Sequence, residues 1–369
     1  MNIESLINIY NRELSKIKQL SNWDFDKDVI QDSKYISWTR ALKNDFLKEK
    51  PINNNVTQHK VASYRPYTKQ WLYYNPQLNE LLGQFPRIFP KNESNLTISL
   101  VGLGTPKEFS CLITNTIPDV QILANAQCFP LYLYEETSTE NKADDLFSHA
   151  ETNTADGQYT RKDAISDEGL KHFQDAYPTE TISKEDIFYY VYGLLHSEDY
   201  RSRYADNLTK ELPRIPCVKK AEDFWAFSRA GRDLAHWHLN YETVEPYKAK
   251  LDLGGKSLKQ LEDKDFYVTK MKFPKKDQKD TVVYNNAITI REIPVEAYDY
   301  IVNGKSALEW VMERQGVSTH KDSGIVNDAN DWAIETMGDA KYPLELFLRV
   351  ITVSLETMKI VRALPKLDI

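Results

Sequence analysis

The sequence predicts an α+β fold with a β-containing core, a central helical section and a C-terminal helical bundle. Three observations carry that expectation. Apolar residues recur three or four apart near the N-terminus, at Ile3, Leu6, Tyr10, Leu14 and Ile17, which is the spacing of one helix face. Residues 61–134 then break into short runs rich in aromatic and β-branched residues, punctuated by Pro, Gly and Asn, the pattern of strands and turns. Helical spacing returns at 184 and closes in LELFLRVITVSLETMKIVRAL, whose apolar face is long enough to dock on the rest of the chain.

In chain order, a second helix should place Trp38, Leu42 and Phe46 on one face before KPINNN ends it, so 1–55 is expected as a helical connector. Strands are expected in SYRPYTKQWLYY, LTISLVGLG, FSCLITNTI and CFPLYLYE, and 136–186 is expected as an exposed acidic insertion, being polar and poor in aliphatic residues. Ile187, Tyr190, Val191 and Leu194 share a helix face, and Ser197 can cap the next helix, which Pro213 and Pro216 end. Another helix should cover 221–239. FYVTKMKFP and DTVVYNNAITIREI then read as a two-stranded ribbon joined by a lysine-rich turn. The β core would thus combine 56–134 with 266–292, within an α+β domain at 56–292, followed by a helical subdomain at 293–369. No internal repeat is present.

At 369 residues the chain is long enough for two or three domains with ample core. Cys111, Cys128 and Cys217 have no CxxC spacing and are odd in number, which reads as reduced thiols in a cytoplasmic protein. The charged, amphipathic start is unlike a signal peptide, and no apolar run is of membrane-spanning length, so no membrane partner is expected. A formal charge of -7 argues against indiscriminate coating of nucleic acid, which rests on broad phosphate neutralisation. The charge is uneven, however: 135–186 holds fourteen acids against five bases, whereas 248–279 holds ten lysines against five acids. That lysine-rich stretch has two readings, a solvated strand edge that blocks unwanted pairing or a phosphate-contacting surface.

Several short motifs bear on chemistry. YRPYTKQWLYY at 64–74 interleaves Arg65 and Lys69 with five aromatic residues; such a run suits stacking and phosphate contact, or equally a buried strand face formed by Tyr67, Trp71 and Tyr73. A second aromatic and basic cluster joins Lys219 and Lys220 to Phe224, Trp225, Phe227, Arg229 and Arg232, and a helix with a buried aromatic face and a solvated basic face explains it as well. Pro118, Asp119, Glu140 and Lys142 imitate a magnesium nuclease, but TSTENKADD lacks the β propensity that would aim Glu140 and Lys142 at one metal, and Glu262 with Lys264 repeats the pattern by chance. Gly102 and Gly104 are a lone GxG, and Asn75-Pro76-Gln77-Leu78 lacks the second proline and aromatic of an amino-methyltransferase loop. His236 and His238, two apart on a helix, point in different directions.

Longer segments carry a family resemblance. YRPYTKQWLYY (64–74), IPDVQILANAQCFPLYLY (117–134), YGLLHSEDYRSRYADNLTKELPRIP (192–216), DFWAFSRAGRDLAHWHLNYE (223–242), IPVEAYDYIVNGKSALEWVMERQ (293–315) and SGIVNDANDWA (323–333) resemble the C-terminal specificity region of Type ISP restriction-modification enzymes. These are large bacterial proteins that join nuclease, helicase-like translocase, methyltransferase and recognition parts. The resemblance implies a non-catalytic target recognition domain that binds double-stranded DNA beside methyltransferase and helicase-like modules. It implies no catalytic residue, metal or cofactor in this chain, since S-adenosylmethionine, ATP and Mg would belong to the other modules. Ala329 departs from the family pattern, which has proline there, and puts the tightness of that turn in question.

Under this reading Arg65, Lys69, Lys219, Lys220, Lys270, Lys272, Lys275 and Lys276 are the expected phosphate contacts. Tyr67, Arg229, Arg232, Asn285 and Asn286 are the expected base readers or stackers. A docking module of the same machine without base readout is the main alternative, and a magnesium-dependent nuclease is a third.

Overall fold

A computed structural model describes residues 3–137, 152–153, 158–321 and 323–369. The N-terminal periodicity becomes the helix Ile3–Ile17, which turns Ile7, Tyr10, Leu14 and Ile17 inward against Phe25 and against Leu42 and Phe46 of the helix Arg40–Leu47. Tyr10, Phe25 and Trp38 all meet Phe46 within 5.7 Å, mostly edge-on, a packing that adds directional attraction to burial. Asn11 exchanges two hydrogen bonds with the backbone of Ile52, and Tyr73 of the following sheet joins this core.

The strands form several small sheets. His59–Arg65 pairs antiparallel with Thr68–Tyr73 and parallel with Ile117–Pro118. Thr97–Leu100 lies between Cys111–Thr114 and Gln127–Pro130, antiparallel to both. Gly102, just past this strand, owes nothing to a nucleotide turn: a Cβ there would stand 2.2 Å from the Asn125 carbonyl oxygen, so only glycine fits.

Two expectations are corrected here. The described part of 136–186 is not simply an exposed insertion, because Tyr159–Asp163 pairs with Tyr132–Glu136 and the helix Asp167–Ala176 buries Phe173; amphipathic spacing in a short acidic helix was outweighed by its overall polarity, and 138–151 and 154–157 lie outside the described residues. The two-stranded ribbon is also replaced. Residues 266–273 touch Val283 through a single bridge at Lys272, and the regular pairing is instead Val282–Val283 with Thr289–Arg291, flanked by Lys250–Asp252.

Behind these sheets, the helices Lys184–His196 and Ala221–Leu239 cross at Gly193 and Gly231. A Cβ on Gly193 would lie 2.1 Å from the Phe227 carbonyl oxygen, and one on Gly231 1.9 Å from that of Tyr189. Tyr190 stacks on Phe224 across the same crossing at 4.8 Å. The C-terminal part is helical at Ala307–Arg314 and Tyr342–Arg362, but it also contains the hairpin Val317–Thr319 with Val326–Asp328, too short and polar to stand out in the sequence. Ala329 follows the second strand at the start of the short helix Ala329–Asp331, and its amide donates to the Gly316 carbonyl at 3.1 Å, a bond that proline lacks the hydrogen to make.

Candidate nucleic-acid interface

Phe266, Val268 and Met271 enter the core, and Tyr267, Thr269, Lys270 and Lys272 are exposed; the alternation of 266–269 slips by one residue at Lys270, which is why Lys270 and Lys272 also face solvent. The chain then runs through exposed Lys275 and Lys276 to the Val282–Val283 and Thr289–Arg291 hairpin. Asn285 builds the tip. Its Nδ2 donates to the carbonyls of Asp265 and Tyr267 at 2.8 and 2.9 Å, while its Oδ1 accepts from the Ala287 and Ile288 amides, both at 2.8 Å. With its polar atoms so used, Asn285 is a scaffold, and Asn286 beside it is left exposed without a side-chain partner among the described residues.

An open cleft is lined by Lys264, Tyr267, Thr269, Lys270, Lys272 and Asn286. Lys264 is held by Glu262. By contrast, Lys270, Lys272, Lys275 and Lys276 have no ion pair among the described residues and are exposed. The unpaired ammonium groups of Lys270 and Lys272 in one cleft, with Lys275 and Lys276 close behind in sequence, raise the local positive potential despite the acidic net charge. Tyr267 and Thr269 were not singled out from the sequence, although the alternation that buries Phe266 and Val268 places them on the same outward side.

The other expected contacts lie elsewhere and are mostly occupied. Arg65 donates to Asp119 at 2.9 Å and lies over the Tyr64 ring; Lys69 is paired with Glu242, both largely buried. Arg232 is gripped by Glu185 and Asp186 at 2.8 Å each and covers Tyr189. These charges staple elements together, so their guanidinium and ammonium donors are not free for phosphate or bases. Lys219 pairs with Asp368, while Lys220 and Arg229 are exposed, with no ion pair among the described residues.

Tyr67 is a correction. It is 3 % exposed, sits at φ 56° in the hairpin turn rather than in a strand, and donates its hydroxyl to Tyr300, so no ring face is left for a base. Burial among other tyrosines raises its pKa well above the ordinary phenol value. Trp71, expected on the same buried face, is outward and 55 % exposed.

The remaining motifs resolve into structure. Asp119 is the partner of Arg65, and Glu140 and Lys142 lie outside the described residues. His238 is buried between the Tyr192 hydroxyl at 2.6 Å and Thr357 at 2.9 Å, and burial depresses its pKa to about 3. Among the described residues no group of three or more His, Cys, Asp or Glu is placed to hold a metal, and no helix is long and apolar enough to cross a membrane.

Residues 1–346 match the family described as the Type ISP C-terminal specificity domain. The chain belongs to that family. Its fold agrees: this Type ISP specificity domain superposes with a TM-score of 0.81 and 34% identity on the ATP-dependent Type ISP restriction-modification enzyme LlaBIII bound to DNA. It superposes with a TM-score of 0.80 and 33% identity on a nuclease-deletion mutant of the Type ISP enzyme LlaGI in complex with a DNA substrate mimic. A DrdV–DNA complex gives 0.76 and 31%. All of the specificity domain is covered in each case, whereas it spans only 22%, 31% and 34% of those chains. No curated protein matches it.

Proposed function

We propose that this Type ISP specificity domain recognises a target sequence in double-stranded DNA, without catalysis of its own, for methyltransferase and helicase-like modules of a restriction-modification enzyme. S-adenosylmethionine, ATP and Mg would act at those modules. The observation that carries the reading is the pair Lys270 and Lys272, which line a cleft with the exposed tip residue Asn286 and are followed along the chain by exposed Lys275 and Lys276, on a chain of a specificity-domain family whose similar structures are DNA complexes. Lys270, Lys272, Lys275 and Lys276 supply sequence-independent phosphate contacts that set register, and Asn286 offers an amide able to pair with a base edge. Lys220 and Arg229 are further exposed cations without an ion pair among the described residues.

The test is selection of the 369-residue protein on randomised duplexes followed by sequencing. An enriched motif is expected, and Asn286→Ala should relax it at one position at a cost of about 1 to 3 kcal/mol against the preferred base. Duplex pools that emerge unenriched would refute recognition by this chain.

A further inference from the structure

A second cleft opens between the strand Thr68–Tyr73 and the segment 314–336, and its chemistry is opposite to that of the lysine face. Its walls are indoles: Trp71, exposed at the mouth, lies 6.0 Å from Trp332 and is fixed by a 3.0 Å bond from its Nε1 to Thr336. Two cations reach this cleft: Lys69 is paired with Glu242, and Arg314 shares the Glu313 carboxylate with Lys305. Asp331 and Glu335, also lining it, are exposed and have no ion pair among the described residues. Asp328 already accepts from Tyr267 and Asn330. Gln315 lines the cleft at 3 % exposure, and its Oε1, like the neighbouring Arg314 Nε, has no hydrogen-bond partner among the described residues. A buried acceptor left without a donor is unfavourable. Val326, also in the lining, is exposed.

Carboxylates without counter-ions repel phosphate and attract a cation. Indole faces favour a planar guanidinium, and such a group brings donors for the Asp331 and Glu335 carboxylates and for Gln315 Oε1. Exposed Trp71 and Val326 in the lining form the apolar contact that surrounds a buried anchor at a protein interface. We propose that this cleft is a docking site for another protein segment, one that inserts an arginine side chain flanked by apolar residues between Trp71, Asp331 and Glu335. The domain then carries its cationic face and its acidic, aromatic cleft side by side, linked where Tyr267 donates to Asp328 at 2.9 Å.

The experiment uses the indole N–H signals of the whole chain, which has seven tryptophans, with the Trp71 signal assigned from Trp71→Phe. N-acetyl-arginine amide at millimolar concentration is expected to shift that signal, and the isosteric but uncharged N-acetyl-citrulline amide is expected to leave it in place. Asp331→Asn with Glu335→Gln should abolish the arginine response while thermal stability and the selected duplex motif stay as in the parent. Equal responses to both amides, no response to either, or a response that survives the double variant would overturn the proposal. Loss of the duplex motif in the double variant would also overturn it, by assigning the cleft to the DNA interface, and would leave sequence recognition standing. A parent protein that selects no motif yet binds arginine through these carboxylates would refute recognition alone.

Discussion

Asn285 and Asn286 are adjacent and chemically identical, yet the fold assigns them different work. Asn285 spends both ends of its amide on four backbone groups, so Asn285→Ala strips partners from the turn and should lower stability by about 1 to 3 kcal/mol in denaturant melts. Asn286→Ala should leave the same melt unchanged, because nothing in the described fold depends on its side chain. The buried histidines set a different residue-scale expectation. Burial depresses His238 to about 3 and also lowers His196, with Arg201 adding to the effect. In the unfolded chain both bind protons near pH 6.5, so the unfolded state gains protons first as pH falls. Stability is therefore fully present above pH 6.5 and is lost as pH drops from there, for His238 down to about 3. A denaturation midpoint that stays level between pH 7 and 5 would contradict that neutral, buried pair.

At the scale of elements, the Gly193 and Gly231 crossing decides how deeply the two central helices pack. Gly231→Ala would drive a methyl group against the Tyr189 carbonyl, which should force the helices apart and cost about 1 to 3 kcal/mol of stability; an unshifted thermal midpoint would show that the crossing can open freely. The sequence announced the first of these helices through the apolar spacing of Ile187, Tyr190, Val191 and Leu194, and Ser197, expected to cap the helix that follows it, does accept from the Tyr200 amide, but the contact between the two crossing helices is a tertiary fact that no local pattern encodes. The same limit explains the candidate site. Lysine density at 270–276 was visible because it is local, and Lys270, Lys272, Lys275 and Lys276 have no ion pair among the described residues, as is also true of Lys220 and Arg229. Arg65 and Arg232 looked equally available, yet their acidic partners stand 54 and 46 residues away in the chain. Tyr67 was misplaced because residues on one parity share a face only while the strand lasts, and the turn at φ 56° ends that relation. The ribbon at 266–292 failed for a related reason: the run had strand composition, but its residues found their partners in Lys250–Asp252 and within one short hairpin.

At the scale of the whole molecule, a chain of net charge -7 can hold DNA only through a confined cationic surface, since the rest of its surface opposes the polyanion. Its affinity must then depend on few phosphates and respond measurably to the loss of each. Lys275 and Lys276 are exposed and free of acidic partners among the described residues, so changing both to alanine should leave the fold intact. Each phosphate contact contributes about 0.9 to the slope of log affinity against log salt. The double variant should therefore bind every duplex more weakly at low salt, flatten that slope by about two, and select the parental motif. Arg232→Ala is the contrasting case: its guanidinium ties Ala221–Leu239 to Glu185 and Asp186, so its loss should lower the thermal midpoint and leave the salt slope alone. Titrations at several salt concentrations with both variants separate the two roles. A parental slope in Lys275→Ala/Lys276→Ala would remove those lysines from the phosphate contacts, and a flattened slope in Arg232→Ala would mean that DNA competes with Glu185 and Asp186 for the same guanidinium.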